Sequence, residues 1–240
     1  MSTSAFTSTI GLDPLSPQGA ALGCSEASRG MMLEGRLLRL AKRSVDLVGA
    51  IAGLVLLSPV LLVIAILIKW ESPGAVIFRQ RRIGLRGREF WFLKFRTMVA
   101  DAEQRLEHLE AYNESAGGIL FKMKNDPRIT RLGRFLRRSS LDELPQLLNV
   151  IRGEMSLVGP RPLQIRDSER LALLEPQAWA RRLSVLPGMT GAWQVGGRSE
   201  TDCFGMLKLD LQYVANWSLG LDLSIICRTF VAVTRGRGAY

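Results

Sequence analysis

The longest hydrophobic stretch of the chain runs from Leu47 to Ile68 without a charged residue and carries Ser58-Pro59 at its centre. A straight helix needs about 20 apolar residues to cross a bilayer, so this stretch is long enough to span one. Proline removes a backbone donor and clashes with the preceding turn, which predicts a sharp bend at Pro59. Each arm would then rise only about 14 to 17 Å at about 1.5 Å per residue, roughly half of the hydrocarbon thickness.

Basic residues lie on both sides of this stretch. They are Arg36, Arg39, Lys42 and Arg43 before it and Lys69, Arg79, Arg81 and Arg82 after it. A simple span concentrates Lys and Arg on one side, so the symmetric charge predicts a re-entrant helix with both ends in the cytoplasm. The Ser58 hydroxyl suits the bend because it can bond a carbonyl that the proline frees. The alternatives are an ordinary span with a proline kink and a buried hairpin of a soluble protein.

The remaining pattern predicts an α+β fold that is mainly helical. Leucines alternate with cations from Arg36 to Arg43, which is typical of an amphipathic helix at the membrane interface. Val76 to Gln80 and Glu89 to Phe95 are β-prone segments and predict a small hairpin. Asp101 to Tyr112 is predicted to be helical.

Three regions follow from this pattern. The segment 1–35 is rich in Ser, Thr, Gly and Pro and lacks the layout of a signal peptide, so we expect a disordered tail. The segment 36–72 is expected to form the interfacial and re-entrant membrane helix. The segment 73–240 is expected to form one cytoplasmic domain of ordinary size.

Composition limits the classes of partner and chemistry. The formal net charge of +10 points to an anionic partner, and the hydrophobic stretch favours a membrane over nucleic acid. The three cysteines, Cys24, Cys203 and Cys227, are scattered, which argues against a disulfide framework or a zinc site. His108 is the only histidine and is expected at the surface. Any nucleophile that needs an activating histidine would have to pair with this residue.

An acidic pair, Asp142 and Glu143, follows an arginine-rich segment and stands within Ser140 to Gln146. Ser140 and Glu143 have the spacing of a capping box, which is the structural explanation of the pair. Proline is tolerated only in the first turn of a helix, so Pro145 predicts that the helix begins near Leu141 or Asp142.

Phosphate-binding character nearby favours a functional explanation. Lys94 and Arg96 end a predicted strand, and Arg161 is fixed between two prolines in Gly159-Pro160-Arg161-Pro162. A rigid guanidinium can bind phosphate oxygens through two parallel hydrogen bonds. Gly196-Gly197-Arg198 adds flexible backbone beside another arginine.

At these residues the chain resembles the monotopic phosphoglycosyl transferases, which are bacterial sugar transferases acting on polyprenyl phosphate. The similarity runs from about Lys42 to the C-terminus. The matching motifs are Ser58-Pro59, Lys94 to Met98, Asp126 to Thr130, Ser140 to Gln146, Gly159 to Pro162, Thr190 to Val195, and Tyr213 with Trp217-Ser218.

The resemblance implies the reaction and the roles. A UDP-sugar would give its sugar 1-phosphate, with hexose expected, to undecaprenyl phosphate and release UMP at the cytoplasmic face of the bacterial inner membrane, initiating exopolysaccharide, capsule or O-antigen synthesis. Asp142 would be the nucleophile and form a covalent phosphosugar, while Glu143 would assist catalysis and bind Mg²⁺. The remaining implied site residues are the phosphate-binding Lys94, Arg96, Arg137, Arg161 and Arg198, and the membrane-hairpin residues Ser58 and Pro59.

Two other functions stay open at this point. The protein would be a non-catalytic membrane scaffold if only its basic surface mattered, or it would transfer the sugar phosphate directly, with Asp142 as a metal ligand. The sequence leaves open whether the chain forms a homodimer and which sugar it transfers.

Overall fold

The computed structural model describes residues 17–99, 101–109, 123, 125–196 and 203–234, with side chains described from residue 35 onwards except at 103, 106–108 and 234. The predicted surface position of His108 and the phosphate-binding role of Arg198 therefore lie outside the described side chains. The chain divides into two compact units, Met1–Ser44 and Val45–Tyr240. The described part of the first unit is helical.

The described elements confirm a mainly helical α+β fold with two small sheets. The helices are α1 (Pro17–Glu71), α2 (Ala102–Leu109), α3 (Arg131–Arg138), α4 (Gln146–Arg152), α5 (Ile165–Leu174), α6 (Pro176–Arg182), α7 (Ala192–Gly196), α8 (Cys203–Ala215) and α9 (Leu219–Thr234). The strands are β1 (Ile77–Ile83), β2 (Glu89–Phe95), β3 (Ser156–Val158) and β4 (Gly188–Thr190).

Helix α1 is described from Pro17 onwards. Residues 1–16 of the expected disordered tail lie outside the described residues. The part from Gly35 to Glu71 is long and apolar enough to cross a membrane.

The centre of α1 is helical on both sides of Pro59. Pro59 has no N–H to donate to the carbonyl of Val55, four residues before it. The hydroxyl of Ser58 donates to that carbonyl at 2.8 Å, as the sequence predicts. The freed carbonyl is therefore satisfied within the helix, which matters in a bilayer because lipid offers no replacement donor.

One face of α1 is part of the core of the second unit. Ala50 packs with Phe90, Phe92, Leu147, Val150 and Met155. Ile64 and Ile68 pack with Phe95 and Leu136. Asp46 is 1% exposed, and its carboxylate accepts from the hydroxyl of Ser156 and the backbone N–H of Leu157, both at 3.0 Å. The opposite face exposes large apolar side chains, including Leu56, Leu62, Val63 and Trp70.

The predicted hairpin is confirmed. Strands β1 and β2 pair antiparallel from Ile77 opposite Phe95 to Ile83 opposite Glu89. The second sheet is short: β3 and β4 pair in parallel, with Ser156 opposite Gly188 and Val158 opposite Thr190. It places the loop that follows β3 beside the hairpin, where the backbone N–H of Ile83 donates to the carbonyl of Leu163 at 3.1 Å.

The last two helices close the core over the second sheet. Tyr213 of α8 is buried, and its hydroxyl bonds the Val158 carbonyl at 3.0 Å and the Asp222 carboxylate at 2.8 Å. Trp217 donates to the same carboxylate at 3.2 Å. The conspicuous aromatic residues near the C-terminus thus hold α9 against β3, which is a structural role.

Helix α3 approaches the backbone after β2 so closely that its first turn requires glycine. A Cβ atom at Gly133 would lie 2.1 Å from the carbonyl oxygen of Thr97. The first turn is capped by Thr130, whose hydroxyl accepts from the Gly133 N–H at 2.9 Å. This contact sets where the end of α3 points.

We predict that Gly133→Ala lowers the free energy of unfolding by about 1 to 3 kcal/mol, because overpacking forces backbone shifts. Urea unfolding followed by circular dichroism would measure the change. Gly220→Ala on α9 is the matched control, since its Cβ would meet only the Ser218 hydroxyl at 3.9 Å. Equal stability of the Gly133 variant and the wild type would contradict the close approach.

Candidate active site

The acidic pair lies on a tight turn between α3 and α4. Residues Leu141–Glu143 form a single 3₁₀ turn, and Ser140 before it has a φ of 56°. A non-glycine residue in this left-handed region is uncommon and concentrates at functional sites. Asp142 is 7% exposed, so the turn delivers one carboxylate into the interior.

The capping-box explanation of the pair is wrong. The Ser140 side chain does not cap the turn. Its left-handed backbone departs from the extended conformation that a capping residue needs. The Glu143 carboxylate instead accepts two hydrogen bonds from Arg161, at 2.5 Å and 3.2 Å.

The helix also begins later than the sequence predicts. Helical backbone starts at Leu141 as a 3₁₀ turn, but α4 begins at Gln146 with Pro145 as its N-cap. Pro145 cannot donate to the Leu141 carbonyl, which accepts from the Leu144 N–H at 3.3 Å instead. The proline thus separates the turn with the carboxylates from the regular helix.

Three cations reach this turn from three different elements. Lys94 comes from β2, Arg137 from the last turn of α3, and Arg161 from the loop after β3. The Arg137 Nε donates to the Thr97 hydroxyl at 2.9 Å, which fixes the guanidinium. The structure therefore brings together five of the predicted site residues.

Burial dominates the electrostatics of Asp142. Burial, followed by the charge of Glu143, raises the pKa of Asp142 to about 6, while Lys94, Arg137 and Arg161 act to lower it. Burial, together with the charges of Arg137 and Arg82, lowers the pKa of Lys94 to about 7, against the carboxylates of Asp142 and Glu143. Both groups therefore change charge close to neutral pH.

Arg82 is a site residue that the sequence analysis missed. It is 8% exposed, and its guanidinium lies 3.9 Å above the Phe92 ring and donates to the Pro162 carbonyl at 2.7 Å. Burial and the charge of Arg161 lower the pKa of Arg82 to about 9. The signal that could have found it is the pairing of the predicted hairpin, which places Arg82 on the same face as Phe92 and Lys94.

The backbone of Arg161 is held from a second direction. Arg182 of α6 donates to the Arg161 carbonyl and, through its Nε, to the buried Asp210 carboxylate at 2.7 Å. Both Arg182 and Asp210 are almost fully buried. The loop with the two prolines is thus fixed by buried arginines as well as by its restricted backbone.

Arg96 belongs to another part of the structure. Its guanidinium donates to the Ser72 carbonyl at 2.7 Å, the Ser72 hydroxyl at 2.8 Å and the Pro73 carbonyl at 2.9 Å. These bonds tie the end of β2 to the connection after α1. The structure therefore does not bring Arg96 to the Asp142 cluster: β2 ends at Phe95, so strand alternation no longer places Arg96 on the face of Lys94.

The motif Asp126 to Thr130 supports the site from outside. The side chains of Asp126 and Arg128 form a buried ion pair at 2.6 Å, and the Thr130 N–H donates to the Thr97 carbonyl at 3.1 Å. This connection places the capped start of α3 beside the residues that follow β2. Its role in the described structure is to position α3.

The donor chemistry of Asp142 and Glu143 fits Mg²⁺, which is usually held by one or two carboxylates together with substrate phosphates. Within the described part of the chain, no group of three or more His, Cys, Asp or Glu side chains could hold a metal by itself. A magnesium ion at this turn would therefore depend on phosphate ligands from a substrate.

Comparison with known proteins establishes the family. The family model described as bacterial sugar transferase matches residues 37–236, so the chain belongs to that family, as its motifs predict. The exopolysaccharide production protein ExoY of Rhizobium meliloti is 45% identical over 204 residues, which cover 84% of this chain and 88% of ExoY.

Two longer relatives have names that state an activity. The undecaprenyl-phosphate galactose phosphotransferase of Salmonella typhimurium is 41% identical over 211 residues, 87% of this chain and 43% of that protein. The UDP-glucose:undecaprenyl-phosphate glucose-1-phosphate transferase of Escherichia coli is 41% identical over 203 residues, 82% of this chain and 40% of that protein. The chain thus spans about two fifths of the length of these two relatives.

Proposed function

We propose that the protein transfers a hexose 1-phosphate from a UDP-sugar to undecaprenyl phosphate and releases UMP. The observation that carries the proposal is the buried carboxylate of Asp142 among Lys94, Arg137 and Arg161. The names of the two longer relatives supply the substrate classes. The name of ExoY supports a role in exopolysaccharide production, which is one of the three pathways, with capsule and O-antigen synthesis, that the family resemblance implies.

The reaction consists of two displacements. In the first, a carboxylate oxygen of Asp142 attacks the sugar-bearing phosphorus of the UDP-sugar, and the bond from that phosphorus to the oxygen of the departing UMP breaks. In the second, a phosphate oxygen of the lipid attacks the same phosphorus, and the bond to Asp142 breaks. The carboxylate is regenerated, so covalent catalysis needs no histidine.

The cations allow the anionic substrates to approach the anionic Asp142. Two phosphorylated substrates must approach an ionised Asp142, and fixed positive charge offsets their repulsion. Lys94 and Arg137 hold substrate phosphates, while Arg161 binds Glu143 and contacts phosphate beside it. Glu143 would hold Mg²⁺, which when bound neutralises charge on the diphosphate.

We predict that Asp142→Asn abolishes UMP release, because an amide is a poor nucleophile. Mass spectrometry of wild-type protein incubated with UDP-sugar alone is expected to show one added hexose phosphate, absent in the variant. Asp101→Asn makes the same chemical change at an exposed ion pair with Arg105 and is expected to keep full activity.

The same experiment separates the alternatives. A non-catalytic scaffold would release no UMP with either variant or with the wild type. Direct transfer from donor to lipid would release UMP only when lipid is present and leave no covalent adduct. Retention of turnover by the Asp142→Asn variant would refute the assignment of Asp142 as the nucleophile.

The activity should depend on pH with a rise and a fall. Below about pH 6 Asp142 keeps its proton and cannot attack, so kcat/KM should rise as pH increases through that value. Above about pH 7 Lys94 loses its charge and binds phosphate less well, so kcat/KM should fall. Because Asp142 and Lys94 interact, the apparent pKa values of the two limbs describe the pair and not either residue alone.

Two variants of Lys94 test the assignment of these limbs. Lys94→Arg keeps its charge at high pH, so the fall should disappear. Lys94→Gln removes a cation that lowers the pKa of Asp142, so the rise should move to higher pH. Lys208→Gln on the exposed side of α8 is the control and should leave the profile unchanged. An unshifted rise in Lys94→Gln would contradict the electrostatic coupling.

We infer further that α1 enters the inner membrane from the cytoplasmic face, turns at Pro59 and leaves the membrane through the same face. Support comes from the cations on both sides of the apolar stretch and from the internal bond between Ser58 and Val55. This arrangement would keep Asp142 at the depth of the lipid phosphates.

Cysteine labelling tests this topology. In a variant without native cysteines, single cysteines replace Arg39 and, separately, Ala75. A membrane-impermeant maleimide should label neither site in intact spheroplasts and both after permeabilisation. Labelling of Ala75→Cys alone in intact spheroplasts would indicate an ordinary span.

A further inference from the structure

The β1–β2 hairpin has two faces with different environments. Arg82, Phe92 and Lys94 lie on the face of the candidate active site. The other face carries Arg79 opposite Leu93 and Arg81 opposite Trp91. The Arg81 guanidinium lies 5.1 Å from the centre of the Trp91 ring. The proposed reaction makes no use of this outer face.

A recess of about 210 Å³ opens between the outer face and α4. Its floor is apolar and consists of Ile77, Trp91, Leu93, Pro145 and Leu148. Trp91 is 49% exposed and Leu148 is 40% exposed, so water covers a large part of this apolar surface.

Two arginines form the rim of the recess, Arg79 of β1 and Arg152 of α4. Both are exposed, and among the residues that the structure describes neither has an acidic partner. Glu89, the acidic residue at the hairpin, pairs with Arg81 at 2.9 Å. The rim therefore offers two guanidinium groups to an anion.

The recess adjoins the apolar helix. Ile77 lines the recess and also packs against the cluster that contains Ile64 and Ile68 of α1. Val63 and Trp70, which neighbour these isoleucines along the chain, are exposed on the opposite face of α1. Tryptophan and arginine together, beside an apolar helix, are typical of the zone where lipid headgroups meet acyl chains.

We propose that this recess binds an anionic membrane phospholipid. The lipid phosphate lies between Arg79 and Arg152, because guanidinium groups bind phosphate oxygens through paired hydrogen bonds. The start of an acyl chain covers Trp91 and Leu148. The site is distinct from that of the reacting lipid phosphate, since Lys94 lies on the other face of the hairpin. The inference rests on the proposed membrane attachment.

Lipid binding can be measured by native mass spectrometry of the full chain in detergent. The wild type is expected to retain phosphatidylglycerol in preference to phosphatidylcholine. The double variant Arg79→Gln/Arg152→Gln should retain it about tenfold more weakly, since it loses charge-assisted hydrogen bonds. Arg181→Gln/Lys208→Gln, on the groove between α6 and α8, removes the same charge elsewhere and should behave as the wild type.

Three results would overturn the proposal: equal retention of phosphatidylglycerol by the double variant, equal retention of the two lipids by the wild type, or displacement of phosphatidylglycerol by equimolar undecaprenyl phosphate. The last would assign the recess to the acceptor instead. UMP release in detergent without phosphatidylglycerol serves as a separate readout. Its absence in the wild type would refute the proposed function and leave the lipid result standing.

Discussion

The structure depends on keeping one carboxylate both buried and ionisable. Removing Asp142 from water disfavours its charge, and Glu143 next to it adds repulsion. Lys94, Arg137 and Arg161 offset these effects, and each comes from a different element. A shift of any one of the elements would therefore change the charge of the group at the centre of the site. The close packing of α3 at Gly133 and the buried arginines behind the proline loop serve this requirement.

The balance leaves both central groups near their titration points. A more exposed aspartate would stay charged but would be better solvated, and a more deeply buried one would hold its proton. Lys94 is under the opposite pressure, because burial and nearby arginines favour its neutral form. Perturbed pairs of this kind are characteristic of catalytic sites, which agrees with membership of the bacterial sugar transferase family.

Local pattern was sufficient for the elements and for most of the site. Two β-prone segments predict the hairpin, the uncharged stretch predicts the apolar helix, and the family resemblance of the motifs implies Asp142 and its three cations. Tertiary contacts decided the rest. Spacing suggested a capping box, but the left-handed backbone at Ser140 prevents it. The motif gives Arg96 the same expected role as Lys94, but its guanidinium donates to the Ser72 carbonyl instead. Arg82 was missed because its role depends on Pro162, 80 residues away.

The tie between Asp46 and the start of β3 fastens the part of α1 from Val45 onwards to the sheets of the same compact unit. Each fully buried isoleucine on α1 contributes about 1.5 to 3 kcal/mol, and Ile64 and Ile68 both fill the core. Cutting the chain after Glu71 would uncover Phe90, Phe92 and Phe95 together. A shortened, water-soluble form of this protein therefore cannot be obtained by deleting the apolar helix, since one face of that helix is part of the hydrophobic core.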